Sequence, residues 1–153
     1  MKGQALLETV LAVVVLAAIF FGLFSLSRRL TAQTLMDHAA ARAARARSVG
    51  LNKFMCRKAA RIATIPIAGR IISPEELGDA DEVARAAIYM VARDEGVAAG
   101  VLDYENWHGM EFDYGDSGDE TITKISIPYG NGEITGEARI ESHWPFWMED
   151  GGR

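Results

Sequence analysis

Met1-Lys2-Gly3-Gln4-Ala5-Leu6-Leu7-Glu8-Thr9 opens the chain, and an apolar run from Val10 to Leu26 follows it directly. From Val10 to Ser27 no residue carries a formal charge. As a helix this stretch is roughly 27 Å long at about 1.5 Å per residue. A bilayer core is about 30 Å thick. The run therefore reads as a membrane-length helix, with Gly22 its only helix breaker. A single carboxylate, Glu8, sits at its edge. A charge within a spanning helix costs roughly 2.5–3.5 kcal/mol on insertion scales and is usually retained for a purpose.

Three readings of this opening compete. A cleaved secretory signal needs a basic start, a short apolar core and a small-residue cleavage site. Here Lys2 is the only early base, the core is long, and Glu8 interrupts its beginning. A plain signal anchor accounts for the length, with Glu8 favoured by the helix macrodipole and snorkelling to water. The third reading also gives Gly3 and Glu8 a role. The order Lys2-Gly3-Gln4, a glutamate five residues after Gly3 and a long apolar helix resembles the class III signal of type IV pilins. That resemblance implies cleavage after Gly3 by a prepilin peptidase. The mature chain would begin at Gln4, with Glu8 as its fifth residue and the hydrophobic segment retained. Arg28 and Arg29 follow the run, and a Lys/Arg count alone places this side in the cytoplasm. Long following domains translocate largely regardless of charge, so the exported orientation is retained as the expectation.

Charge divides the remainder. Between Arg28 and Arg61 there are nine basic residues and one acid, Asp37; from Arg70 to Arg153 there are nineteen acids and six bases. A stem near +8 precedes a head near −13. Such asymmetry points to a charged partner, and each half is a candidate partner for the other, within one chain or between neighbours. Arg28 to Ile62 lacks proline, and Ala39–Arg47 is rich in the strongest helix formers. One helix is expected from about Gln4 to about Ile62, with weak points at Gly22 and Gly50, ended by Ile65-Pro66. Its alanines suit close helix packing in an assembly. Its bases are also the electrostatic footprint of phosphate binding, but Phe54 is the only interleaved aromatic, so nucleic acid is not the expected partner. The one cysteine, Cys56, allows no intramolecular disulfide. A small buried thiol is expected.

In the head, Ser73-Pro74-Glu75-Glu76 reads as a capped helix start. The helix is expected to run to Glu95 and end at Gly96, burying Ala80, Ala84, Ala87, Ile88 and Val91 against a sheet. Alternation through Met110, Phe112 and Tyr114, then Thr123, Ile125, Ile127 and Tyr129, then Ile134, Ala138, Ile140 and Trp144 predicts three antiparallel strands. Gly130-Asn131-Gly132 forms the hairpin turn between the last two. Pro128 marks where pairing of the middle strand stops.

The expected class is α+β: a leader at 1–3, a transmembrane and assembly helix at 4–27, a basic stem helix at 28–62, a linker at 63–72 and an acidic head at 73–153. This plan resembles type IV pilins and pseudopilins, and within them the TadE-like proteins of tight-adherence pili. The residues that carry the resemblance are Gly3-Gln4-Ala5-Leu6-Leu7-Glu8, Ala43-Ala44-Arg45-Ala46 and the closing Trp144-Pro145-Phe146-Trp147. It implies a structural subunit that self-associates into a filament with other pilins. It also implies a prepilin peptidase and pilus assembly machinery as partners, and passage from the bacterial inner membrane to an extracellular filament. A monomeric signal-anchored envelope protein with an acidic binding head and a DNA-binding uptake pilin are the alternatives.

No phosphate loop, dinucleotide fingerprint or His/Cys metal-ligand spacing is present, and His38, His108 and His143 are scattered. No enzyme is expected. One segment resembles a ligand site. Asp113, Asp116, Asp119 and Glu120 lie within eight residues alongside Gly115 and Gly118. They are candidate oxygen ligands for calcium, or else line a solvated hairpin loop.

Overall fold

A computed structural model describes residues 2–73, 79–117 and 119–141, with the backbone alone described at residues 2, 3, 5, 6 and 79–82. The architecture is α+β: a long apolar N-terminal helix, further helices and two small antiparallel sheets. The chain divides into two compact units, Met1–Ala32 and Gln33–Arg153.

Helix α1 runs from Lys2 to Ser48. Gly22 does not interrupt it. The single helix expected to reach Ile62 is instead two helices, because Gly50 ends the first. Gly50 has φ 85°, in the left-handed region that glycine enters without steric cost. Its N–H donates to Arg47 O at 2.8 Å and the Leu51 N–H donates to Ala46 O at 3.1 Å. These bonds satisfy carbonyls that the last turn leaves open, the usual glycine stop. Asn52 then caps α2 (Lys53–Ala63) by accepting from Met55 N at 2.9 Å. Thr64 closes α2, and Ile65-Pro66-Ile67 forms one 3₁₀ turn.

In the second unit, β3 (Glu111–Ser117), β4 (Glu120–Tyr129) and β5 (Gly132–Glu141) form an antiparallel sheet with β4 central. The alternation read from the sequence sets its faces. Phe112, Ile125 and Gly136 lie side by side across the strands, as do Tyr114, Thr123 and Ala138. Gly130, at φ 61°, takes the first turn position between β4 and β5. Positive φ there suits the right-handed twist of a hairpin. Pro128 is a half-correct marker. Pairing to β3 ends at Ser126, but pairing to β5 continues through Pro128↔Glu133 to Tyr129↔Gly132. Trp144 and the closing aromatic-proline stretch lie outside the described residues.

Residues 33–48 of α1 lie on the inner face of this sheet. Met36, Ala39, Ala40, Ala43 and Ala44 recur at helical spacing and are fully buried. Gly136 permits the approach. A Cβ there would run into the carbonyl of Met36 and lie 2.9 Å from Asp37 N. Gln33 Nε2 donates to Thr135 O at 2.8 Å beside it. The alanines expected to serve packing between chains are therefore occupied within one chain.

The head helix is also corrected. Ser73 belongs to β1 (Ile71–Ser73), which pairs with β2 (Asp103–Tyr104) in a two-stranded sheet that the sequence pattern did not predict. Pro74–Gly78 lie outside the described residues. Helix α3 spans Asp79–Val91, and a separate helix α4 spans Glu95–Val101 with Asp94 as its N-cap, accepting from Val97 N at 2.8 Å. Among the described residues, the chain beyond Gly50 thus holds three α-helices, α2 to α4, where one head helix was expected. Asp94 is a stronger start signal than Gly96 is a stop. Among the described side chains of α3, Tyr89 is the buried one and packs on Trp107, with ring centroids 5.4 Å apart. Tyr104 adds a ring at 4.7 Å from Trp107, whose indole N–H donates to Thr64 Oγ1 at 3.1 Å. The face expected to be buried points outward: Ala84 and Ala87 are exposed, Ile88 is 57% exposed and Val91 80%. A large aromatic that buries well with its hydroxyl paired outweighed several small residues.

Candidate functional site

The first feature is α1 within Met1–Ala32. Among the described residues one helix, Leu7–Ser48, is long and apolar enough to cross a membrane. From Leu7 onward the unit exposes Leu, Val, Ile and Phe side chains almost without interruption, including Phe20 and Phe21. An apolar face of this size that covers nothing in its own unit requires lipid or protein around it. Gly3 and Gln4 lie in the first turn of this helix, and Glu8 lies one turn later with its side chain exposed. Glu8 makes no ion pair among the described residues.

The second feature is the electrostatic join inside Gln33–Arg153. Arg47 Nη2 meets Asp116 Oδ2 at 2.7 Å, and Thr121 Oγ1 donates to Asp116 Oδ1 at 3.0 Å. The Arg47 hydrogen bond holds the Asp116 carboxyl below its ordinary range and raises Arg47 in turn. The Arg47 guanidinium also lies 4.9 Å from the Tyr114 ring centroid. Arg57 Nη1 meets Glu95 Oε1 at 2.6 Å. Arg61 donates to Tyr89 Oη at 3.3 Å and lies over Trp107.

Lys58 is fully buried, yet among the described residues no carboxylate pairs with it. Its ammonium donates to Met90 O and Ala92 O, each at 2.7 Å, at the C-terminal end of α3. The negative end of the helix dipole takes the place of a counter-ion, and the Phe54 ring lies 4.7 Å away. Burial pushes the Lys58 amine below its ordinary range. The basic residues Arg47, Arg57, Lys58 and Arg61 are thus committed to the chain's own fold and are not arrayed for phosphate. Cys56 is buried, with its thiol raised by desolvation.

The acidic segment is distributed over two strands and the turn between them. Asp113 and Asp116 both belong to β3, but their odd separation puts them on opposite faces. Asp116 faces inward to Arg47. Asp119 lies in the turn and Glu120 opens β4. Among the described residues no group of three or more His, Cys, Asp or Glu side chains converges where a metal ion could sit. His108 is exposed with Nε2 2.8 Å from Asp103 Oδ2; His38 is exposed on α1; His143 lies outside the described residues.

Two charged surfaces remain. The side of α1 that faces away from the sheet carries His38, Arg42 and Arg45, all exposed, with no anionic partner among the described residues. The outer face of the sheet carries Glu111, Asp113, Glu120, Glu133, Glu137 and Glu141, opposed by Lys124 and Arg139. Glu137 Oε1 accepts from Arg139 at 3.0 Å. Sequence reasoning located the charge asymmetry but not these faces, nor Lys58 and Gly136. An isolated glycine in a strand pattern signals close backbone approach, so Gly136 was findable. Lys58 leaves no such sign, because its partners are backbone carbonyls.

The family model described as TadE-like protein matches residues 3–45. The match takes in the candidate cleavage site, Glu8, the apolar segment and the start of the sheet-packed part of α1, and stops before α2. No curated protein and no solved structure matches the chain.

Proposed function

We propose that this chain is a pilin-like structural subunit of a type IV-type filament. In this reading a prepilin peptidase cuts between Gly3 and Gln4, and residues 4–27 hold the subunit in the bacterial inner membrane. Assembly machinery then moves it into an extracellular filament alongside other copies and other pilins. The leader, membrane segment, stem and head follow the bounds 1–3, 4–27, 28–62 and 73–153. No chemical reaction is assigned to it.

The observation that carries the reading is the coincidence of three things on residues 3–45: a glycine in the first turn of α1, one carboxylate, Glu8, at the edge of the exposed apolar run Val10–Leu26, and the TadE-like match. Glu8 pairs with the amine that cleavage frees on a neighbouring subunit. Burying two opposite charges together avoids the several kcal/mol that each costs alone. The charge pairs Arg47–Asp116 and Arg57–Glu95 are made within one chain, whereas the apolar segment exposes its side chains and is available for contacts with neighbours.

The test is Glu8→Ala in cells that make the filament. The variant is expected to be processed at the wild-type level and to remain in the membrane fraction, with little recovered in sheared filaments. Recovery at the wild-type level removes the pairing role.

A further inference from the structure

The two charged faces lie on opposite sides of the Gln33–Arg153 unit. Helix α1 covers the inner face of the sheet through Met36, Ala39, Ala40, Ala43 and Ala44. Its arginine ridge therefore points away from the sheet, while the acidic outer face points the other way. At one point on each face like charges stand side by side, with no ion pair to either of them among the described residues. Arg42 and Arg45 are neighbours at i, i+3 with no acid between them, a destabilising arrangement on a helix. Glu120 and Glu141 stand directly opposite one another across β4 and β5, the corresponding arrangement on a sheet.

From this we infer that the outer sheet face of one copy docks on the α1 ridge of a second copy. The spacings agree. Arg42 and Arg45 are separated by a rise of roughly 4.5 Å along the helix. Glu120 and Glu141, on neighbouring strands, are separated by roughly 4.8 Å. Two guanidinium groups thus meet two carboxylates, and both repulsions become attractions. The contact joins two different surfaces, so it is heterologous. A heterologous contact that does not close into a ring generates an open filament, whereas an isologous one stops at a dimer. The inference rests on the filament reading and supplies the head-level contact that the apolar helices do not specify.

Full-length chains carrying Val49→Cys and full-length chains carrying Ser117→Cys, made together in one membrane, test it. Val49 is 70% exposed one turn beyond Arg45. Ser117 is exposed and pairs with Glu120 in register on the outer face. The native Cys56 is buried and does not compete. Oxidation is expected to give mixed Val49→Cys/Ser117→Cys dimers in preference to either homodimer. Arg42→Glu with Arg45→Glu on the first chain is expected to lower the mixed yield roughly tenfold, which two exposed charge pairs near the top of their range supply. Glu120→Lys with Glu141→Lys on the second chain is expected to restore it, an outcome that misfolding of the first chain would not give. Homodimers in equal yield, or a mixed yield indifferent to charge reversal, overturn the interface. If multimers form and depend on Glu8 but give no mixed disulfide, this contact alone falls. If an amine-reactive crosslinker finds no multimers at all, the filament reading falls with it.

Discussion

Gly136→Ala reports directly on whether the stem helix is part of the folded head. The added Cβ meets the carbonyl of Met36 and lies 2.9 Å from Asp37 N. Relaxed contact needs roughly 3.5 Å or more. The atoms it meets are helix backbone, which has no rotamer by which to yield. Helix and strand must therefore separate by about an ångström to clear the Met36 carbonyl, loosening Ala39, Ala40, Ala43 and Ala44 together. Overpacking of this kind costs about 1–3 kcal/mol. At roughly 3–5 °C per kcal/mol for a domain of this size, the melting temperature falls by about 3–15 °C. The assay is near-UV circular dichroism of the full chain in detergent micelles on heating. Gly115→Ala is the control, because its Cβ has nothing within 4 Å. If Gly136→Ala melts within a degree of wild type, residues 33–48 are not seated on the sheet and the reading of this helix is wrong.

Two further expectations concern the contacts of Lys58 with the end of α3 and of Arg47 on α1 with Asp116 on the sheet. Lys58→Ala strands the Met90 and Ala92 carbonyls and opens a cavity, so it is expected to destabilise the head by about 3–5 kcal/mol in chemical denaturation; a loss under 1 kcal/mol makes the buried ammonium dispensable. Asp116 has a folded-state pKa below its unfolded value, so its contribution is present above about pH 4 and fades as pH falls through the folded pKa. Asp116→Asn is therefore expected to destabilise at pH 7 and to converge with wild type in strong acid, and equal differences at both pH values contradict the Arg47 pairing.

The sequence was most legible where one periodicity dominates. The apolar opening, the three strands β3 to β5 and the Gly130 turn follow from patterns with a single physical reading. It was least legible where competing signals were close in strength. The alanine-rich stretch after Arg28 suits packing on another helix or on a sheet equally well, and Gly136, a hundred residues away, decides between them. Gly50 was visible as a weak point, but its role as a full stop depends on the cap bonds from Gly50 and Leu51. On α3, Tyr89 turned the helix so that the alanine and valine side faces out, because the aromatic core around Trp107 was assembled from α3, β2 and the turn after it. Of the candidate site residues, Gly3, Gln4 and Glu8 are together at the start of α1, while Asp113 and Asp116 are separated by the strand alternation that the sequence itself displays.

The central claim is that residues 1–3 are a leader and the rest a filament subunit. Intact-mass and N-terminal peptide spectrometry of the protein purified from its native membrane tests it most directly. The expected result is a chain that begins at Gln4 and retains Leu7–Leu26. A chain that still carries Met1-Lys2-Gly3, or one cut beyond Leu26, contradicts it.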